Sequence, residues 1–151
     1  MIGYALALAV ADAGPGELRP KIQRIVGGAD ASGPWQEPNV IVALDEPDED
    51  SRAYLTRALG AVPTVDMWLA VDDRAEYEEF VDAERRALAL AVQIAVECDA
   101  TACLTFETGG VMMRRRSGVV VLYSSWPQWS DPELIARLGV SFVTTEANEA
   151  L

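Results

Sequence analysis

The sequence predicts an α+β fold, an antiparallel sheet packed against one long helix with short flanking helices. Three observations carry this. Residues Arg74 to Cys98 place apolar side chains at helical spacing over a length that strands do not reach. Between Ala102 and Tyr123, three short apolar runs are separated by two glycine-containing turns, the pattern of consecutive hairpins. Helical and strand patterns interrupt one another irregularly, without the steady alternation that builds a parallel sheet. The 151 residues suit one domain spanning 1–151, large enough to bury about two-thirds of its unfolded surface without disulfides or a metal.

In chain order, Tyr4 to Val10 alternates large and small residues, so a strand would put Tyr4, Leu6, Leu8 and Val10 on one face. Gly14-Pro15-Gly16 ends it. A short helix is expected around Arg19 to Val26, with Pro20 tolerable only in its first turn and Gly27-Gly28 closing it. Ala29 to Pro38 reads as a loop rich in Gly, Pro and small polar residues. Asn39 to Leu44 reads as a strand and Ser51 to Leu59 as a helix stopped by Gly60 and Pro63. Val65 to Val71 is a strand with Val65, Met67, Leu69 and Val71 on one face.

In the long helix, Asp73 and Glu76 resemble a capping box, and Tyr77, Phe80, Val81, Leu88, Ala91, Ile94, Ala95 and Cys98 form the apolar stripe. Strands are expected at Ala102 to Glu107, Val111 to Arg116 and Val119 to Tyr123, joined by Thr108-Gly109-Gly110 and Ser117-Gly118. Trp126 to Trp129 is a loop. Ser130-Asp-Pro-Glu133 matches a capping box that opens a helix to Leu138; Gly139 ends it, and Val140 to Thr144 forms a last strand.

Charge narrows the function. The chain carries 24 acidic and 12 basic residues, a formal charge of -12. A field of that sign repels nucleic acid and anionic membranes and attracts basic surfaces. His is absent, which removes the commonest general base near neutral pH and the commonest metal ligand. Cys98 and Cys103 are expected near each other as core thiols, since a redox pair favours a two-residue spacing. Met1 to Val10 has no basic residue ahead of its apolar run and reads as a strand, not a signal peptide. No stretch is long and apolar enough to cross a bilayer, so the expected address is cytoplasmic.

Asp45, Glu46, Asp48, Glu49 and Asp50 form the densest charge cluster. Their spacing and the missing glycine turn do not fit a calcium loop, so no metal is expected. They read either as solvated charge at a helix entry or as a partner-docking patch, joined by Glu78, Glu79 and Asp82. Arg114, Arg115 and Arg116 alternate faces on a strand, which suits a charged strand end or a salt bridge better than a nucleic-acid face. Trp126 and Trp129 flank Pro127 and either lid the core or anchor a partner. Ser124, Ser125 and Ser130 have no His to activate them, and no spacing supports Asp66 with Glu107 as an acid/base pair. The expectation is therefore a binding module with no catalytic residue and no cofactor.

From about Val62 to Trp129 the structural punctuation follows a familiar order. A strand ending in acidic residues, Val65-Asp-Met-Trp-Leu-Ala-Val-Asp-Asp, leads to a long helix from Glu76 to Val96. Then comes Asp99-Ala-Thr-Ala-Cys-Leu-Thr-Phe-Glu-Thr-Gly-Gly-Val-Met-Met-Arg-Arg-Arg-Ser-Gly-Val-Val-Val-Leu-Tyr, with a Trp shortly after. This resembles the Sit-type immunity proteins of bacterial polymorphic toxin systems, over under half of the chain. The resemblance implies a protein that binds and neutralises a cognate toxin, and the acidity suggests occlusion of a basic toxin surface. The alternative is a small enzyme or ligand-binding domain with a pocket near the Trp126 loop.

Overall fold

The computed structural model describes residues 3–27, 34–106 and 110–146. They form β1 (Gly3–Ala11), α1 (Pro15–Val26), β2 (Trp35–Glu37), β3 (Val40–Asp45), α2 (Glu49–Leu59), β4 (Val65–Asp72), α3 (Tyr77–Glu97), β5 (Thr101–Phe106), β6 (Gly110–Arg116), β7 (Val119–Tyr123), α4 (Pro132–Leu138) and β8 (Val143–Thr145), with a 3-10 turn at Pro127–Ser130. The strands join one sheet in the order β2-β3-β4-β1-β5-β6-β7-β8.

The α+β class holds, and the sheet is larger and less uniform than expected. Every pairing is antiparallel except β7 with β8, which is parallel. The 3-10 turn and α4 form a crossover that returns the chain in its original direction. The short strand β2 falls inside the expected Ala29 to Pro38 loop. Trp35 fixes it: its ring is buried, Arg19 stacks 5.4 Å from the ring centroid, and its Nε1 donates to Gln23 Oε1 at 2.8 Å.

Alternation gives the sheet two faces of different character. Leu6, Leu8 and Val10 of β1, with Val65, Met67, Leu69 and Val71 of β4, point into the main core and are almost wholly buried. There they meet α1, α3 and α4, whose Leu18, Ile22, Leu88, Ile94, Leu134 and Leu138 are equally enclosed. The other face of β1 carries alanines, which leave a shallow surface. α2 lies on it, with Leu55, Ala58 and Leu59 packed against Ala9, Ala11 and Cys103. Helices thus cover both faces, where one long helix with short flankers was expected.

Local chemistry sets the element ends. α1 starts at Pro15, earlier than expected, so Pro20 stands in the second turn; the carbonyl it deprives belongs to Gly16, which is exposed to water. The expected Asp73–Glu76 capping box does not form. Asp72 Oδ1 accepts from Arg74 N at 2.9 Å instead, α3 begins at Tyr77, and Tyr77 itself is 76% exposed, off the apolar stripe. α4 is capped one residue later than expected, by Asp131 Oδ1 accepting from Glu133 N at 3.0 Å. Ser117 (φ 54°) and Gly118 (φ 78°) both occupy left-handed backbone, as a two-residue hairpin turn requires. Glu107, Thr108 and Gly109 of the other expected turn lie outside the described residues. Cys98 borders the main core and Cys103 lies under α2, so the two thiols sit on opposite faces of the sheet and not near each other.

Candidate binding surface

α2 covers the middle of the second face and leaves the β3–β4 side open. Ile41, Ala43 and Ala70 are half-buried there, and Trp68 is 38% exposed. Trp68 stands directly opposite Ala43 on β3 and Ala7 on β1, so no side chain larger than a methyl flanks it on either neighbouring strand. It differs from the other tryptophans. Trp35, Trp126 and Trp129 each donate their indole N–H within the fold, whereas Trp68 makes no such bond among the described residues. A buried or interfacial Trp normally finds a partner for its N–H.

The border of this area is acidic. Asp45 pairs across the ladder with Asp66, one step of the same face away from the Ala43–Trp68 pair. Asp45 is exposed, while Asp66 is 5% exposed and its Oδ1 is buried without a hydrogen bond. Burial, and then the charge of Asp45, push the Asp66 carboxyl up to about 6. Beyond Asp45, Glu46, Glu49 and Asp50 are exposed. Asp48 is also exposed, and its Oδ1 accepts from Asp50 N at 3.2 Å as the cap of α2.

The second acidic group lies elsewhere. Glu78 and Glu79 are exposed in the first turn of α3, on the main-core side of the sheet and beyond the far end of β4. They therefore do not join the Asp45–Asp50 run in one patch. Asp82 is tied up by cations, accepting from Arg137 Nη2 at 2.7 Å and Arg86 Nε at 3.0 Å, and these bonds hold its carboxyl below the usual range.

Trp126 and Trp129 serve the sheet. Pairing of β5 with β6 shifts between Leu104 and Thr105, which makes Met112 an extra residue and turns both Met112 and Met113 into the main core. The ladder to β7 begins only at Met113. The carbonyls before it, of Val111 and Met112, accept from Trp126 Nε1 at 2.8 Å and Trp129 Nε1 at 2.9 Å. Trp129 is 6% exposed, out of reach of a partner. Trp126 is half-buried, 5.6 Å from the Phe106 ring and pressed against Gly110, so it closes the core there. A cavity of about 230 Å³ lies on the other side of the molecule, lined in part by Val40, Val42, Leu90 and Gln93.

The arginine run divides as strand alternation requires. Arg115 is buried, donating to Asp99 Oδ1 at 2.8 Å and Ala100 O at 3.0 Å, and so clamps the link from α3 to β5. Arg114 is beside Cys103, and Arg116 reaches Ala58 O at the end of α2 at 3.4 Å. Burial pushes the Cys103 thiol up to about 11. No group of three or more His, Cys, Asp or Glu among the described residues is placed to hold a metal ion, and no helix there is long and apolar enough to cross a membrane.

The residues that sequence reasoning missed are Trp68 and Asp66. The signal was present: if Val65, Met67, Leu69 and Val71 face the core, Asp66 and Trp68 face away from it. No protein-family model matches the chain, and no curated protein or solved structure matches it either.

Proposed function

We propose that this chain is a binding protein of the Sit-type immunity class, which neutralises a basic protein toxin by docking it on the open half of the second sheet face. The observation that carries the reading is Trp68, a large exposed aromatic among alanines with an acidic border. That is the anatomy of an interface, with an aromatic anchor at the centre and charge at the rim. An acidic rim speeds encounter with a basic partner and selects against acidic ones. The immunity class rests on the sequence resemblance between Val62 and Trp129, a stretch that includes Trp68. A binding role also suits the surroundings. The Cys103 thiol is buried and held protonated, and the exposed Ser124 and Ser125 have no His anywhere in the chain to activate them.

The test pairs the chain with the toxin encoded beside it. Wild-type protein should restore growth of cells expressing that toxin and bind it in purified form. Trp68→Ala should fold and yet raise the Kd about 30-fold, the effect of losing one aromatic hot spot. A wild-type chain that neither binds nor protects would overturn the assignment.

A further inference from the structure

On the main-core side of the sheet, away from Trp68, the cavity of about 230 Å³ opens between the end of α1, β3 and α3. Its floor is apolar, made by the buried Val40 and Val42 of β3 and the buried Ala87 and Leu90 of α3. Its rim is cationic. Arg86 of α3 and Arg137 of α4 line it, and among the described residues no acidic side chain does. In a chain of 24 acidic and 12 basic residues, such a lining runs against the charge of the whole. Both guanidiniums reach the Asp82 carboxylate, which stands outside the cavity. Arg137 spends Nη2 on that bond, and its side chain is 37% exposed, so its other N–H donors are available to a second anion. Gln93 Nε2 donates to Arg137 O at 2.9 Å and so holds this end of α4 beside the cavity.

A second hollow of about 220 Å³ adjoins the first, with Ile25 and Gln93 lining both. Ile25, at their junction, is 36% exposed. The second hollow runs on past Val96 to Leu138 and Val140, and Glu97 is the acidic residue in its lining. The two hollows together make a trough along α3, apolar in its length, cationic at one end and acidic toward the other. Small-molecule sites have this character, an apolar surface with a few placed polar groups that fix orientation.

We propose that the trough binds a straight-chain monocarboxylic acid, its carboxylate held by Arg137 and its alkyl chain laid along α3 toward Val96 and Val140. This site is separate from the docking face and does not depend on it. A guanidinium matches a carboxylate in shape and charge, whereas the two arginines oppose a cationic head group. Glu97 opposes a second carboxylate at the far end, which selects a monoacid over a diacid.

The experiment titrates the full chain with hexanoate and octanoate and follows the methyl resonances of Ile25, Val42 and Leu90 by NMR. Octanamide and octylammonium serve as neutral and cationic probes of equal length. Saturable shifts of these methyls are expected, with octanoate binding about tenfold tighter than hexanoate, the effect of two further buried methylenes. Octanamide should bind about tenfold more weakly than octanoate, for want of a charge-assisted hydrogen bond, and octylammonium more weakly again. Arg137→Gln should abolish the preference for acid over amide and leave octanamide binding unchanged, a difference that a damaged fold would not produce. Unmoved methyls, octanamide or octylammonium binding as tightly as octanoate, or a preference for the acid that survives in Arg137→Gln would overturn the site. The wild-type comparison of acid with amide decides the matter even if the variant does not fold.

Discussion

Asp66 faces away from the main core on β4, and its carboxyl is raised from 3.8 to about 6, first by burial and then by Asp45. A raised carboxyl means that the folded state holds its proton over a range where the unfolded chain has lost it. Stability from this residue is therefore full below about pH 4 and declines as pH rises toward 6. That difference corresponds to about 3 kcal/mol above pH 6. Asp66→Asn should then be more stable than wild type by about 1–3 kcal/mol at pH 7.5, with the gain vanishing near pH 4. Urea unfolding at the two pH values measures this, and a variant less stable at pH 7.5 would contradict it. Gly110 makes a simpler case. A Cβ there would lie 2.3 Å from Trp126 Cζ2, far inside contact distance. Gly110→Ala must displace the indole from its bond to the Val111 carbonyl, at about 1–3 kcal/mol by overpacking. The readout is a lower melting temperature together with a red-shifted tryptophan emission.

At the scale of elements, patterns were legible where they were long and local, and obscure where contact from elsewhere decided them. The period-2 runs of β1 and β4 gave their core faces, and the stripe of α3 held from Leu88 to Ala95, because burial on one side imposes that spacing, whereas Tyr77 at the exposed start of the helix fell off it. The Ser117-Gly118 turn was legible because few residues tolerate left-handed backbone. β2 was not legible, since Trp35 is held by Arg19 and Gln23 of α1, a contact that no local pattern encodes. The sidedness of α2 was hidden in the alanines of β1, which read as weak strand formers when they are the bed for a helix. α4 shows how a short helix is fixed from outside. Arg85 Nε donates to Asp131 Oδ2 at 2.6 Å and Arg85 Nη1 pairs with Glu133 Oε2 at 2.9 Å, while Asp131 also caps α4. The bond to Arg85 holds the Asp131 carboxyl below its usual range. A depressed carboxyl contributes stability above its unfolded pKa and loses it as pH falls, opposite in sign to Asp66. Asp131→Ala removes cap and clamp together and should lower the melting temperature at pH 7 by about 2–4 °C. Arg85→Ala removes only the clamp and should cost less. Equal losses in the two would show that the cap contributes nothing.

Across the whole molecule, the acidity has a geometry that composition alone does not reveal. The Asp45–Asp50 run borders the open second face, whereas Glu78 and Glu79 stand on α3 over the first face, beyond the other end of a strand about 20 Å long between Asp66 and Asp72. At physiological salt, exposed charges are screened beyond about 8 Å, so the two groups do not act as one field on a docked partner. The candidate site was legible in its charge for this reason: acidic runs are visible in sequence, while the sheet face that decides between them is not. The charge-reversal experiment follows from that separation. Asp48 should be left alone, because its side chain caps α2 and a change there would confound binding with folding. Glu46, Glu49 and Asp50 reversed to Lys should slow association with the basic partner and flatten its dependence on salt, with a smaller effect on dissociation. Glu78 and Glu79 reversed to Lys should change the association rate far less. Stopped-flow association at several salt concentrations, with the cognate toxin and both triple and double variants, separates the two. An equal slowing by both sets would mean that only net charge matters and that the second face has no special claim. A larger effect from Glu78 and Glu79 would move the docking site to the helical side, where Trp68 cannot reach it.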